Sequence, residues 1–298
     1  MNPENVSVRA DSPSCSEPRQ HSSRPPLQPT AHAKEMPQSR LRSRRIARPK
    51  VIDFDKLSLT ELRVMSDAGR EIHECYRALV KTGDNIVGEV LRDQGIFREW
   101  DHYPNDDVYD ALTHAQFYYD AHPAGRRAWS EHGHFHAFLR PRGMPGGVRP
   151  ADVPQPGDPA ESVPDEKAVA PDNVALSHLI AISMNPAGIP IRLFTTNRWV
   201  TGETWYSAAD VCAMLDYFMI DHTRRSWALN RWINAMFRLF KPQIAELARD
   251  RTIATWQPND ASSVTCALDD RSLEVTSRIE IDIDRQVQQV ETCLARLG

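Results

Sequence analysis

The sequence predicts an α+β fold, a small antiparallel sheet of about three strands packed with several helices. Three observations carry this expectation. Apolar residues recur at three- and four-residue spacing in long segments on both sides of the chain's centre, the period of an amphipathic helix. Residues 132–139 alternate histidines with Phe135, Ala137 and Leu139, the period of a strand. Two further apolar runs, Leu176 to Met184 and Ile189 to Asn197, flank Asn185-Pro-Ala-Gly188, a four-residue hairpin connection.

The elements follow in chain order. Residues 1–50 are rich in Pro, Ser and Arg and poor in large apolar side chains, so a disordered tail is expected. Its end is basic, with Arg40, Arg42, Arg44, Arg45, Arg48 and Lys50. Residues 51–298 read as a single domain. A first helix runs from Leu57 to Leu79, with Ser58 and Glu61 at capping-box spacing and Leu62, Met65, Ile72, Tyr76 and Leu79 on one stripe. A second helix is expected over Asp84 to Phe97. A third starts at Pro104, carries Val108, Leu112, Ala115 and Tyr119 to about Ala121, and stops at Pro123. After the histidine strand, residues 141–173 form a Pro/Gly-rich insertion. Ser207 caps a helix reaching Ile220, and a longer one spans Ser226 to Arg251, divided or kinked at Pro242. Ile279, Ile283, Val287, Val290, Leu294 and Leu297 predict a C-terminal amphipathic helix over Leu273 to Leu297. That helix docks on its own core or forms a homodimer.

Composition removes several function classes. Net charge is -4, which gives no general case for nucleic-acid binding; the basic tail is the exception. No apolar run approaches the roughly 20 residues that span a bilayer, so no membrane partner and a cytoplasmic location are expected. Cys15, Cys75, Cys212, Cys266 and Cys293 are scattered, without a Cys-x-x-Cys pair, which argues against a disulfide framework or a thiolate zinc site. Serine-nucleophile, Walker and dinucleotide-binding motifs are absent.

The chemistry concentrates in Glu131-His-Gly-His-Phe-His136. On a strand His132, His134 and His136 share a face, but same-face neighbours lie about 6.5–7 Å apart, so a pair converges on one ion more readily than all three. A site built on His132/His134 or His134/His136 needs ligands from elsewhere. Asp110 and His114, four apart on the expected helix, are candidates. His102 precedes that helix and His122 follows it. His178, alternating with Ile180 and Ile182, is a further metal candidate. Two histidines and a carboxylate suit non-haem iron, and three nitrogen or oxygen ligands with a water suit zinc. Arg140 and Arg198 are candidate holders of a small anionic molecule. Asp107 and Glu203 are candidate catalytic carboxylates, Glu203 lying in the polar, aromatic stretch Thr195 to Tyr206.

Six stretches carry a resemblance: His102-Tyr-Pro104, Asp107-Val-Tyr-Asp110, Ala115-Gln116, Tyr118-Tyr119, Glu131-His-Gly-His-Phe-His136, and Thr195-Thr-Asn-Arg-Trp-Val-Thr-Gly-Glu-Thr-Trp205. With them the chain resembles an uncharacterised bacterial family, a domain of unknown function. The resemblance implies one unit over most of residues 55–298 and supplies no activity. The expected function is metal binding by the His-x-His-x-His strand, with an enzyme acting on a small anionic substrate as its extension. The alternative is a non-enzymatic interaction or regulatory protein whose histidines are structural.

Overall fold

The computed structural model describes residues 52–123, 130–153, 171–255 and 267–297. The expected tail, and residues 154–170 of the expected insertion, lie outside these. Ser58 accepts from Glu61 N and Glu61 returns to Ser58 N, closing the capping box that starts helix α1, Leu59–Val80. Its buried stripe holds Leu62, Met65, Ile72 and Leu79 as expected. Helix α2, Ile86–Leu91, is shorter than predicted. The chain turns out of it through positive φ at Asp93 and Gly95.

The sheet has six strands rather than three, and all adjacent pairs are antiparallel in chain order. They are β1 (Tyr103–Tyr109), β2 (Ala115–Asp120), β3 (Gly133–Leu139), β4 (Ser177–Met184), β5 (Pro190–Thr196) and β6 (Val275–Glu280). The histidine strand and the 176–197 hairpin are β3, β4 and β5.

Two corrections supply the additional strands. The helix expected over 104–121 is the β1–β2 hairpin. Val108, Leu112, Ala115 and Tyr119 fit a helical stripe by spacing, but Phe117, Tyr118 and Tyr119 favour a pleated, half-buried surface. Asp110 makes the turn, its side chain accepting from Leu112 N and Thr113 N, so Leu112 sits exposed at the tip. The C-terminal helix begins only at Ile283: Val275–Glu280 alternates and pairs with β5, placing Ile279 opposite Leu193.

The remaining described helices are α3 (Arg198–Thr201), α4 (Ala208–Met214), α5 (Trp227–Leu239), α6 (Lys241–Thr255) and α7 (Ile283–Leu297). Ser207 caps α4 as expected, but α4 ends at Met214, short of the expected Ile220; Ser226 caps α5, which gives way to α6 just before Pro242. One face of the sheet (Phe117, Tyr119, Phe135, Ala137, Leu139, Ile180, Ile182 and Leu193) joins the apolar side chains of α1, α4, α5 and α6 in one core. The apolar stripe of α7 lies on α1, where a Cβ at Gly69 would come within 2.5 Å of Val287 Cγ2. No described helix is long and apolar enough to cross a membrane.

Candidate metal centre

With Phe135 and Ala137 in the core, alternation turns His134, His136 and Phe138 to the other face of the sheet. Asp120 is the register partner of His134, and Tyr118 that of His136. His122 follows β2 and meets His134 edge to face, with ring centres 5.0 Å apart. Among the described residues, ligand atoms of Asp120, His122 and His134 lie within 4.8 Å of one another.

Two atoms of this group are unusual. Asp120 Oδ1 and His134 Nε2 are buried 3.1 Å apart, yet neither makes a hydrogen bond among the described residues. The other nitrogen of each histidine faces a second carboxylate. His134 Nδ1 is 2.9 Å from Glu131 Oε1, and His122 Nδ1 is 3.3 Å from Glu274 Oε1. Burial disfavours charge on His134, but Asp120 and Glu131 outweigh it and raise its pKa. His122 is lowered by burial and by His134. Glu131, despite burial, is held below the usual carboxylate range by its bond to His134.

Behind this group runs a buried polar line. His136 Nε2 is 3.7 Å from Asp120 Oδ1, and its Nδ1 shares a 3.1 Å hydrogen bond with His178 Nε2. His178 Nδ1 in turn meets Thr196 Oγ1 at 3.2 Å. Burial, with His134 beside both and Arg251 beside His178, favours the neutral rings: His136 lies well below its usual value, and His178 is pushed down to about 3. His178 was expected on the face of Ile180 and Ile182. A register shift between the Ala137 and Phe138 pairings puts it opposite Phe138 instead, on the polar face.

The other expected site residues are dispersed. His132 lies outside the strand and turns toward the core side, its Nδ1 2.7 Å from Tyr119 Oη. Gly133 breaks the alternation, because a Cβ there would strike the backbone oxygen of Asp120 and the Tyr119 ring. Asp110 makes the β1–β2 turn and accepts from Asp221 N, and His114, at φ 61°, bonds Tyr109 Oη. Arg198 grips Asp269 with two nitrogens. Arg140 spends Nε on Gln116 and Nη1 on the carbonyls of Asn173 and Val174. Glu203 is fully buried, accepts from His178 N and pairs with Arg251; burial, against that arginine, pushes its carboxyl up to about 7. Asp107 is buried beside His102.

Sequence reasoning missed Asp120, Glu131 and Glu274 as members of the site. The signal for Asp120 is the alternation Gln116, Tyr118, Asp120, visible once residues 115–120 are read as a strand.

Residues 66–281 match the model of the DUF6969 family, described as a domain of unknown function. The chain belongs to this family. Comparisons with the curated proteins and with the solved structures found no match. All six strands of the sheet, and every residue of the polar face described above, fall within the DUF6969 span.

Proposed function

We propose that this is a metal-dependent protein, with one divalent ion, zinc or ferrous iron, held by Asp120 Oδ1, His122 Nε2 and His134 Nε2. The observation that carries it is the pair Asp120 Oδ1 and His134 Nε2, buried and facing each other at 3.1 Å, with neither atom making a hydrogen bond among the described residues. Two ligand atoms each about 2.0–2.1 Å from one ion lie about 3.0–3.4 Å from each other at octahedral to tetrahedral angles. Asp120 Oδ1 and His134 Nε2 face each other as an ion pair but meet no hydrogen-bond geometry, and an ion between them would satisfy both. Glu131 and Glu274 stand where carboxylates commonly orient a ligating imidazole and fix its tautomer.

Three protein ligands leave coordination positions for water and a small molecule. This donor set suits hydrolytic zinc or a two-histidine, one-carboxylate iron site. An anionic substrate would then meet the ion itself, since Arg198 is committed to Asp269, and Arg140, which bonds Gln116 and backbone carbonyls, is fully buried. The competing interpretation, an interaction protein with structural histidines, predicts no stoichiometric ion.

Elemental analysis of the full chain, produced with zinc or iron supplied, separates the two. Wild type should carry one ion per chain, Asp120→Ala and His134→Ala should lose it, and His132→Ala should keep it. A metal-free wild type overturns the proposal.

A further inference from the structure

We propose that His102 is the proton-transfer residue of the metal centre, oriented by a buried chain of Asp107, Gln116 and Arg140. This rests on the metal site above. Tyr103 pairs with Tyr119, so one step further the antiparallel register sets His102 opposite Asp120. Trp100 N, donating to Ala121 O at 2.9 Å, keeps the two segments together beyond that pair. Trp100 itself is half exposed and packs against His122 at a tilt of 35°, ring centres 4.6 Å apart.

The orientation of His102 is determined link by link. Its Nδ1 is 3.1 Å from Asp107 Oδ1. Asp107 Oδ2 accepts from Gln116 Nε2 at 2.6 Å, and Gln116 Oε1 accepts from Arg140 Nε at 2.8 Å. Arg140 is anchored on the Asn173 and Val174 carbonyls. The imidazole lies flat on Tyr118, 3.7 Å away and 9° from parallel. Asp107 reaches this position from a left-handed backbone, φ 49°, within the irregular pairing between Tyr103 and Val108. Irregular pairing of this kind re-aims a side chain, and the strained backbone is maintained by the contacts that it permits.

Exposure distinguishes His102 from its neighbours. Its side chain is 31% exposed, against 3% for His134 and 2% for His136, so a substrate or water can reach it. With Nδ1–H donated to Asp107, Nε2 carries the lone pair. A bound ion would acidify a water beside it, and His102 Nε2 would accept that water's proton, giving an imidazolium whose Nδ1–H stays on Asp107. The imidazolium then returns the proton to the leaving group or to solvent.

The test uses the full chain loaded with zinc, with p-nitrophenyl acetate as a probe of water activation. His102→Gln should keep one zinc per chain and lose roughly 100-fold of the zinc-dependent rate. Asp107→Asn should also keep zinc, lose part of the rate, and lose part of the wild-type solvent deuterium isotope effect. Loss of zinc from His102→Gln would make His102 a ligand and overturn the proposal. So would a zinc-dependent rate unchanged in both variants, or a zinc-loaded wild type without zinc-dependent hydrolysis. A wild type that binds neither zinc nor iron overturns the metal site first and this inference with it.

Discussion

Glu131 and His178 carry the residue-scale consequences. Glu131 bonds His134 Nδ1 and also accepts from Ser183 Oγ. Removing its charge in Glu131→Gln should weaken metal affinity roughly 10- to 100-fold while leaving the ligand atoms in place. Zinc titration of the metal-free variant reads this, and an affinity equal to wild type would argue against an outer-carboxylate role. His178 contributes to acid sensitivity. Burial, Arg251 and His134 push it down to about 3, so it is neutral in the fold. The unfolded chain takes up that proton near pH 6.5. Between those values the unfolded state binds more protons, so the contribution is complete above about pH 6.5 and is lost as pH falls. From pH 6.5 to 5 the loss is about 2 kcal/mol. Denaturant melts of metal-free wild type and His178→Gln check it: the variant should lose less stability over that window.

At the scale of elements, the close approach of β2 and β3 at Gly133 sets the site. A Cβ there would meet backbone that cannot move aside. Gly133→Ala should therefore cost about 1–3 kcal/mol by overpacking. It should also lower metal affinity, because the same pair of strands brings Asp120 to His134. Unchanged stability and affinity would show that the strands can separate freely. The same region shows what a sequence discloses. β3 was legible because His132, His134 and His136 alternate with Gly133, Phe135 and Ala137. β2 was not, because Ala115 and Tyr119 are four apart and fit a helix as well as a strand, and the turn at Asp110 is marked only by its side-chain bonds. The grouping of Asp110 with His114 by helical spacing failed accordingly: the hairpin puts them at its tip and Asp120 opposite His134. The displacement of His178 came from a register shift that no spacing rule announces.

At the scale of the molecule, the sheet divides the fold's work. One face joins the helices in the apolar core, and the other buries carboxylates and imidazoles. An ion that binds the folded chain alone stabilises it by about 2.7 kcal/mol at 100 times its Kd. For a domain of this size that raises Tm by roughly 5–10 °C. Melting the wild type with zinc and with a chelator should show that difference, and Asp120→Ala should melt at one temperature in both. The most direct test is the environment of the ion itself, read by X-ray absorption and an anomalous difference map on metal-loaded protein. One ion with nitrogen from His122 and His134 and oxygen from Asp120, at about 2.0–2.2 Å, is the expected result. No ion between those residues, or one bound elsewhere on the chain, would contradict it.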